Sequence, residues 1–214
     1  MATRDIAVKT LILSVAAVLS IELAARALIL EGFFHPLVLL AGARLLQVVL
    51  IILIVRFSGK GIDPIGLAGF QLFSGLKKGL IWSTGFAVVA VLGFLVLFFA
   101  GINGLALVQT RLPATHSDVI LFFLVGGVIG PVAEEVFFRG VLYTFLRRWG
   151  VALAVVLSTL VFVLPHLVGP GIPITQVVGG IVFAVAYEVE GSLMVPITIH
   201  VLGNVAIFAI SIFA

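Results

Sequence analysis

The chain has 214 residues, 63% of them hydrophobic and only 10% charged, with a net charge of +3. So much apolar surface excludes an ordinary soluble domain, and so small a charge gives no basis for nucleic-acid binding. The absence of cysteine excludes disulfides, a thiol nucleophile and thiolate metal sites. Apolar stretches of about 20 residues recur along the whole length, the pattern of a polytopic helical membrane protein. The expectation is an all-α membrane protein, a bundle of about seven to eight transmembrane helices forming one integral domain over residues 1–214.

The first span runs from about Ile6 to Leu30 and reads as a retained helix rather than a signal peptide. Glu22 and Arg26 are spaced i,i+4 and are expected to pair on one face. Glu31-Gly32 and His35-Pro36 mark a turn, and a second span follows from about Leu37 to Val55, with Arg44 inside it. Residues 56–78 are more polar, with Arg56, Lys60, Asp63, Lys77 and Lys78. Phe70, Leu72, Phe73 and Leu76 add an apolar side, so this stretch reads as a loop and a short helix on the membrane surface. The third span is about Gly79 to Ala100, followed by a polar loop from Gly101 to Ser117. The fourth begins near Asp118 and runs to Trp149. Gly126, Gly127, Gly130 and Pro131 interrupt it and predict a kink. The fifth, Val151 to Pro165, is short. Gly169, Pro170, Gly171 and Pro173 make a loop before the sixth, Ile174 to Tyr187. The seventh starts at Leu193.

If seven spans alternate, Arg4, Lys9, Arg56, Lys60, Lys77, Lys78, Arg147 and Arg148 share one side, and the 101–117 loop opposite carries only Arg111. The positive-inside rule makes the first side cytoplasmic and places the N-terminus inside a plasma membrane. The lack of a eukaryotic targeting signal fits a prokaryotic one. At about 1.5 Å of rise per residue, Glu134, His166, His200 and Asn204 then lie roughly 21, 22, 12 and 18 Å from the cytoplasmic face. Four polar residues from three spans thus reach similar depths.

Ionisable groups at such depth are costly and mark a functional site by default. Glu135 and Arg139 are i,i+4 and form an ion pair facing one way. Glu134 is turned about 100° from Glu135 and lacks a local cation, the desolvated setting of a general base. Alone, Glu-Glu-x-x-x-Arg serves equally well as an ion-pair cluster between helices. His166 sits at the end of a short span, four residues after Phe162, pointing into the bundle. His200 and Asn204 share one face of the last span, and two donors on one face suit an oxyanion hole. His35 and His116 lie in expected loops and are given no role. No serine stands near Glu134 or His200 in sequence, and Asp5, Asp63 and Asp118 lie at span ends or in loops. His-Glu-x-x-His is absent. Zinc on His166, His200 and Glu134 stays open as the second choice behind a site without cofactor. A transporter would show paired repeats or broken helices in both halves, whereas these polar residues occupy only the second half.

Three motifs in order, Glu134-Glu135…Arg139, Phe162…His166 and His200…Asn204, resemble those of the CPBP membrane proteases. That family is named for CAAX proteases and bacteriocin-processing enzymes and is also called Abi. The fold resembles the type II CAAX prenyl endopeptidase over about residues 118–208. Phe137-Phe138-Arg139-Gly140 and Glu190-Gly191-Ser192-Leu193 fit as flanks, while Pro165 before His166 departs from the small or aliphatic residue expected. The resemblance implies a glutamate-type intramembrane endopeptidase. In it Glu134 activates water with help from His166, His200 and Asn204 hold the oxyanion, and Glu135, Arg139 and Phe162 support the site. It implies membrane lipids as surroundings and a protein or peptide substrate, lipidated or bearing a C-terminal sorting signal. A non-catalytic immunity or scaffold protein of the same fold is the remaining alternative, which the intact motifs disfavour.

Overall fold

The computed structural model describes residues 5–69, 72–167 and 171–213. Arg4, Phe70, Gly169 and Pro170, read above as part of topology and loops, lie outside the described residues. Among the described residues, seven long helical segments carry the fold: α1 (Val8–Glu31), α2 (Pro36–Val55), α3 (Leu72–Phe99), α4 (His116–Trp149), α5 (Val151–Val163), α6 (Ile174–Glu190) and α7 (Met194–Phe213). Five of them, α1 to α4 and α7, are long and apolar enough to cross a bilayer. α5, which continues as a tighter turn to His166, and the 17-residue α6 fall short. The protein is a multi-pass helical membrane bundle. Its outward residues are apolar, such as Leu23, Phe73 and Val89, a surface suited to acyl chains and not to water.

α1 stops where Gly32 takes φ +73° and returns its N–H to the Ile29 carbonyl, a left-handed cap open to glycine at little cost. α2 then starts with Pro36 in its first turn, where a missing N–H is harmless. The two helices form a hairpin joined by polar side chains. Glu22 pairs with Arg44 of α2, not with Arg26 as its spacing predicted, and Gln47 donates to the same carboxylate at 2.8 Å. A cross-helix cluster satisfies more donors within the membrane than one i,i+4 pair.

The expected surface helix before the third span is absent in that form. Leu72 to Lys78 are instead the first turns of α3. The reason lies in α7: a Cβ on Gly79 would sit 2.6 Å from Thr198 Cβ, and one on Gly75 would sit 2.3 Å from Ser192 Oγ. Small residues four apart let the two helices approach this closely, as membrane helices commonly do. The polar turn before α3 is also seated inside. Pro64 and Ile65 are buried, and the Gly66 carbonyl accepts the Leu193 N–H at 3.0 Å.

α4 begins at His116, two residues before the expected start, because Thr115 Oγ1 caps it by accepting the Asp118 N–H at 3.2 Å. The predicted kink takes the form of a widened ladder. Dihedrals stay helical, but from Val125 to Ile129 the hydrogen bonds reach five residues back, and a second such stretch spans Val136–Tyr143. Gly150, at φ +113°, separates α4 from α5.

The two ends of the bundle differ chemically. At one, Arg148 pairs with Asp5 at 2.9 Å, Arg147 with Glu188 at 2.7 Å and Lys78 with Glu190 at 2.8 Å. At the other, His35 meets Asp118 at 3.0 Å, and the Thr110 N–H donates to Ser211 Oγ at 2.9 Å. Between them a core of Ile51, Val55, Ile65, Val136, Tyr143, Tyr187, Leu193 and Ile197 packs toward the basic end. A second cluster around Phe162, Phe183, Val195 and Ile199 supports the polar residues described next.

Candidate active site

α4, α5, α6 and α7 enclose a cavity of about 380 Å³ lined by Glu134, Phe162, His166, His200 and Asn204. Two residues selected from sequence as support, Glu135 and Arg139, stand behind its wall at 0% exposure. Arg139 Nη1 donates to Glu135 Oε1 at 2.9 Å, the i,i+4 pair expected. Its Nη2 donates to the Gly180 carbonyl of α6 at 3.1 Å. Gly180 is small because a Cβ there would meet Thr159 Cγ2 at 2.7 Å, so α5 and α6 close tightly around the guanidinium. Arg139 also lies over the rings of Phe162 and Phe183, at 4.7 and 5.2 Å from their centroids. A buried guanidinium needs this many partners to offset its lost hydration.

His200 stands between the two glutamates. Its Nδ1 is 2.7 Å from Glu135 Oε1, and its Nε2 is 3.8 Å from Glu134 Oε2. Glu135 already accepts from Arg139, so Nδ1–H donates to it and Nε2 is turned toward Glu134 and the cavity. Phe183 stacks on the imidazole at 4.6 Å with rings inclined by 23°, and Phe162 meets it edge-on at 5.8 Å. These contacts from three sides fix the orientation of the ring. Glu134 keeps a side-chain exposure of 22%, against 0% for its neighbour, so one carboxylate opens to the cavity while the other is walled in.

His166 is fixed differently. Its Nδ1 bonds the Phe162 carbonyl at 2.9 Å, closing the last turn of α5. A carbonyl only accepts, so Nδ1 carries the proton and Nε2 remains available. With Pro165 before it, the chain tightens to a three-residue turn over Leu164–His166, and the ring lies on the cavity wall.

Asn204 is held by a feature that spacing did not reveal. The Gly130 N–H bonds the Val125 carbonyl, five residues back. The next rung would join Pro131 to Gly126, but proline has no N–H. The released Gly126 carbonyl accepts from Asn204 Nδ2 at 2.9 Å. One amide hydrogen is thereby anchored and the other is left for the cavity. Gly180 and Phe183 were not singled out from sequence, and Gly126 only as part of a kink. The glycine-proline run of α4 and the Gly179-Gly180 pair were the available signals. Among the described residues, no three His, Asp or Glu side chains gather as a metal-ligand set.

Carboxylate, imidazole and carboxamide groups thus line one cavity of the membrane bundle. A family model described as type II CAAX prenyl endopeptidase Rce1-like matches residues 116–206, from the start of α4 into α7. This segment, which carries all three motifs, is similar to the Rce1-like CAAX proteases. No curated protein and no solved structure matches the chain.

Proposed function

We propose that the protein is an intramembrane endopeptidase of the glutamate type, working without a metal on a membrane-associated protein or peptide. The observation that supports this best is His200 held between a buried, Arg-paired Glu135 and a cavity-facing Glu134. Glu134 takes a proton from water as the water oxygen bonds to the scissile carbonyl carbon, and the carbonyl π pair moves to oxygen. His166, with Nδ1 tied to Phe162, offers Nε2 to orient that water. The oxyanion meets the free Asn204 N–H and His200 Nε2–H, the latter as an imidazolium whose Nδ1–H rests on Glu135. Glu134 then hands its proton to the departing amide nitrogen as the C–N bond breaks. Preorganised donors matter because they need no reorientation when charge develops.

The test compares C-terminal peptides in membranes carrying wild-type chain, Glu134→Gln and His200→Ala. A protein whose processed terminus vanishes in both variants, at equal membrane levels and equal gel-filtration behaviour, is the expected result. Full processing by either variant would overturn the proposal.

A further inference from the structure

The cavity has a direction. Among the described residues, its lining leaves Glu134 and His200 and runs along the first half of α6 (Thr175, Gln176, Gly179) and the second half of α7 (Gly203, Ile207). It ends at the 107–110 segment, where Leu107 is 49% exposed. This rim is tied across the mouth by two bonds, Thr110 N–H to Ser211 Oγ and the Thr175 hydroxyl to the Leu107 carbonyl at 3.3 Å. The other direction is closed. Val136, Tyr143, Tyr187, Leu193 and Ile197 fill the space below the site, each under 10% exposed, and the Gly66 carbonyl clamps the turn at Leu193 beneath them. The closed end is the one where Lys78, Arg147 and Arg148 cluster. Positive charge is retained on the cytoplasmic side.

We infer that substrate reaches Glu134 from the extracytoplasmic side, so that the scissile bond belongs to an exported, membrane-anchored polypeptide and not to a cytosolic lipidated tail. The substrate class rests on the proteolytic reading above; the direction of access does not. The rim suits an uncharged stretch of peptide, since Gln109, Thr110, Thr175 and Gln176 supply amides and hydroxyls and no charge.

The chain has no cysteine, so single cysteines report access without background. Gly203→Cys places a thiol deep in the cavity where a Cβ meets nothing within 4 Å. Gln176→Cys sits at the rim and Lys77→Cys on the basic end. Each full-length variant, in a Glu134→Gln background, is treated with a small membrane-impermeant cationic methanethiosulfonate in spheroplasts and in sealed inverted vesicles. The expected result is labelling of Gly203→Cys and Gln176→Cys in spheroplasts only, and of Lys77→Cys in inverted vesicles only. Ile207→Cys replaces Gly203→Cys if the latter does not fold. Labelling of the deep cysteine from the cytoplasmic face, from both faces or from neither overturns the inference, as does labelling of Lys77→Cys in spheroplasts. Labelling reads access and not turnover, so it survives a failure of the proteolytic reading. If proteolysis stands, the termini lost with Glu134→Gln should map to extracytoplasmic segments, and exclusively cytosolic cleavage sites would overturn the substrate class.

Discussion

Arg139→Met tests whether the walled-in ion pair holds the site together. The guanidinium and Glu135 are both fully buried and joined at 2.9 Å. Removing the cation leaves a carboxylate with only His200 Nδ1, at 2.7 Å, and strips the Gly180 carbonyl of its donor. Breaking one side of a buried pair costs about 3–5 kcal/mol, and an orphaned carbonyl adds about 1–3 kcal/mol. Glu135→Gln should be similarly costly because it leaves the guanidinium uncompensated. The double variant Glu135→Gln/Arg139→Met removes both charges, so its cost should fall short of the sum of the singles by up to about 3 kcal/mol. The assay is reversible unfolding of the purified protein in mixed micelles, titrated with SDS, for all four members of the cycle. Strictly additive costs, or an Arg139→Met variant within about 1 kcal/mol of wild type, would refute the reasoning.

Three further outcomes follow from the geometry. Asn204→Ala should lower the cleavage rate by about 10²–10³ while gel filtration is unchanged, and wild-type turnover by this variant would remove it from the oxyanion hole. Gly79→Leu forces a side chain into a gap where a Cβ alone would stand 2.6 Å from Thr198 Cβ. It should cost about 1–3 kcal/mol or more in the same unfolding assay, whereas Gly85→Ala, with open space around its Cβ, should cost far less. Prolonged chelation should leave cleavage of the substrate identified by terminal mapping intact; loss of activity restored by zinc would establish the metal-dependent form instead.

The polar motifs could be read from sequence because charge inside an apolar span has few bland explanations, and helical spacing put Glu135 beside Arg139 and His200 on the face of Asn204. What spacing could not provide was partners from other helices. Glu22 pairs across the hairpin with Arg44 although Arg26 sits at the right interval, because tertiary approach outweighs a local match. Lys77 and Lys78 made the start of α3 resemble a surface segment, while Gly75 and Gly79 were packing it against α7. The anchor of Asn204 is a main-chain carbonyl released by Pro131, and side-chain types alone cannot display it. The same holds for the link from His200 to Glu135, which depends on how α4 and α7 cross.

The brevity of α5 and α6 has an effect on the lipid around them. Val151–His166, the longer reading of α5, spans about 24 Å at 1.5 Å per residue, less than the roughly 30 Å of bilayer hydrocarbon. One way a bilayer matches so short a pair is to thin beside it. The proposed hydrolysis consumes one water per bond cut, and such thinning would bring the aqueous boundary down beside His166. A sealed greasy interior would starve such a reaction; a locally pinched membrane would feed it.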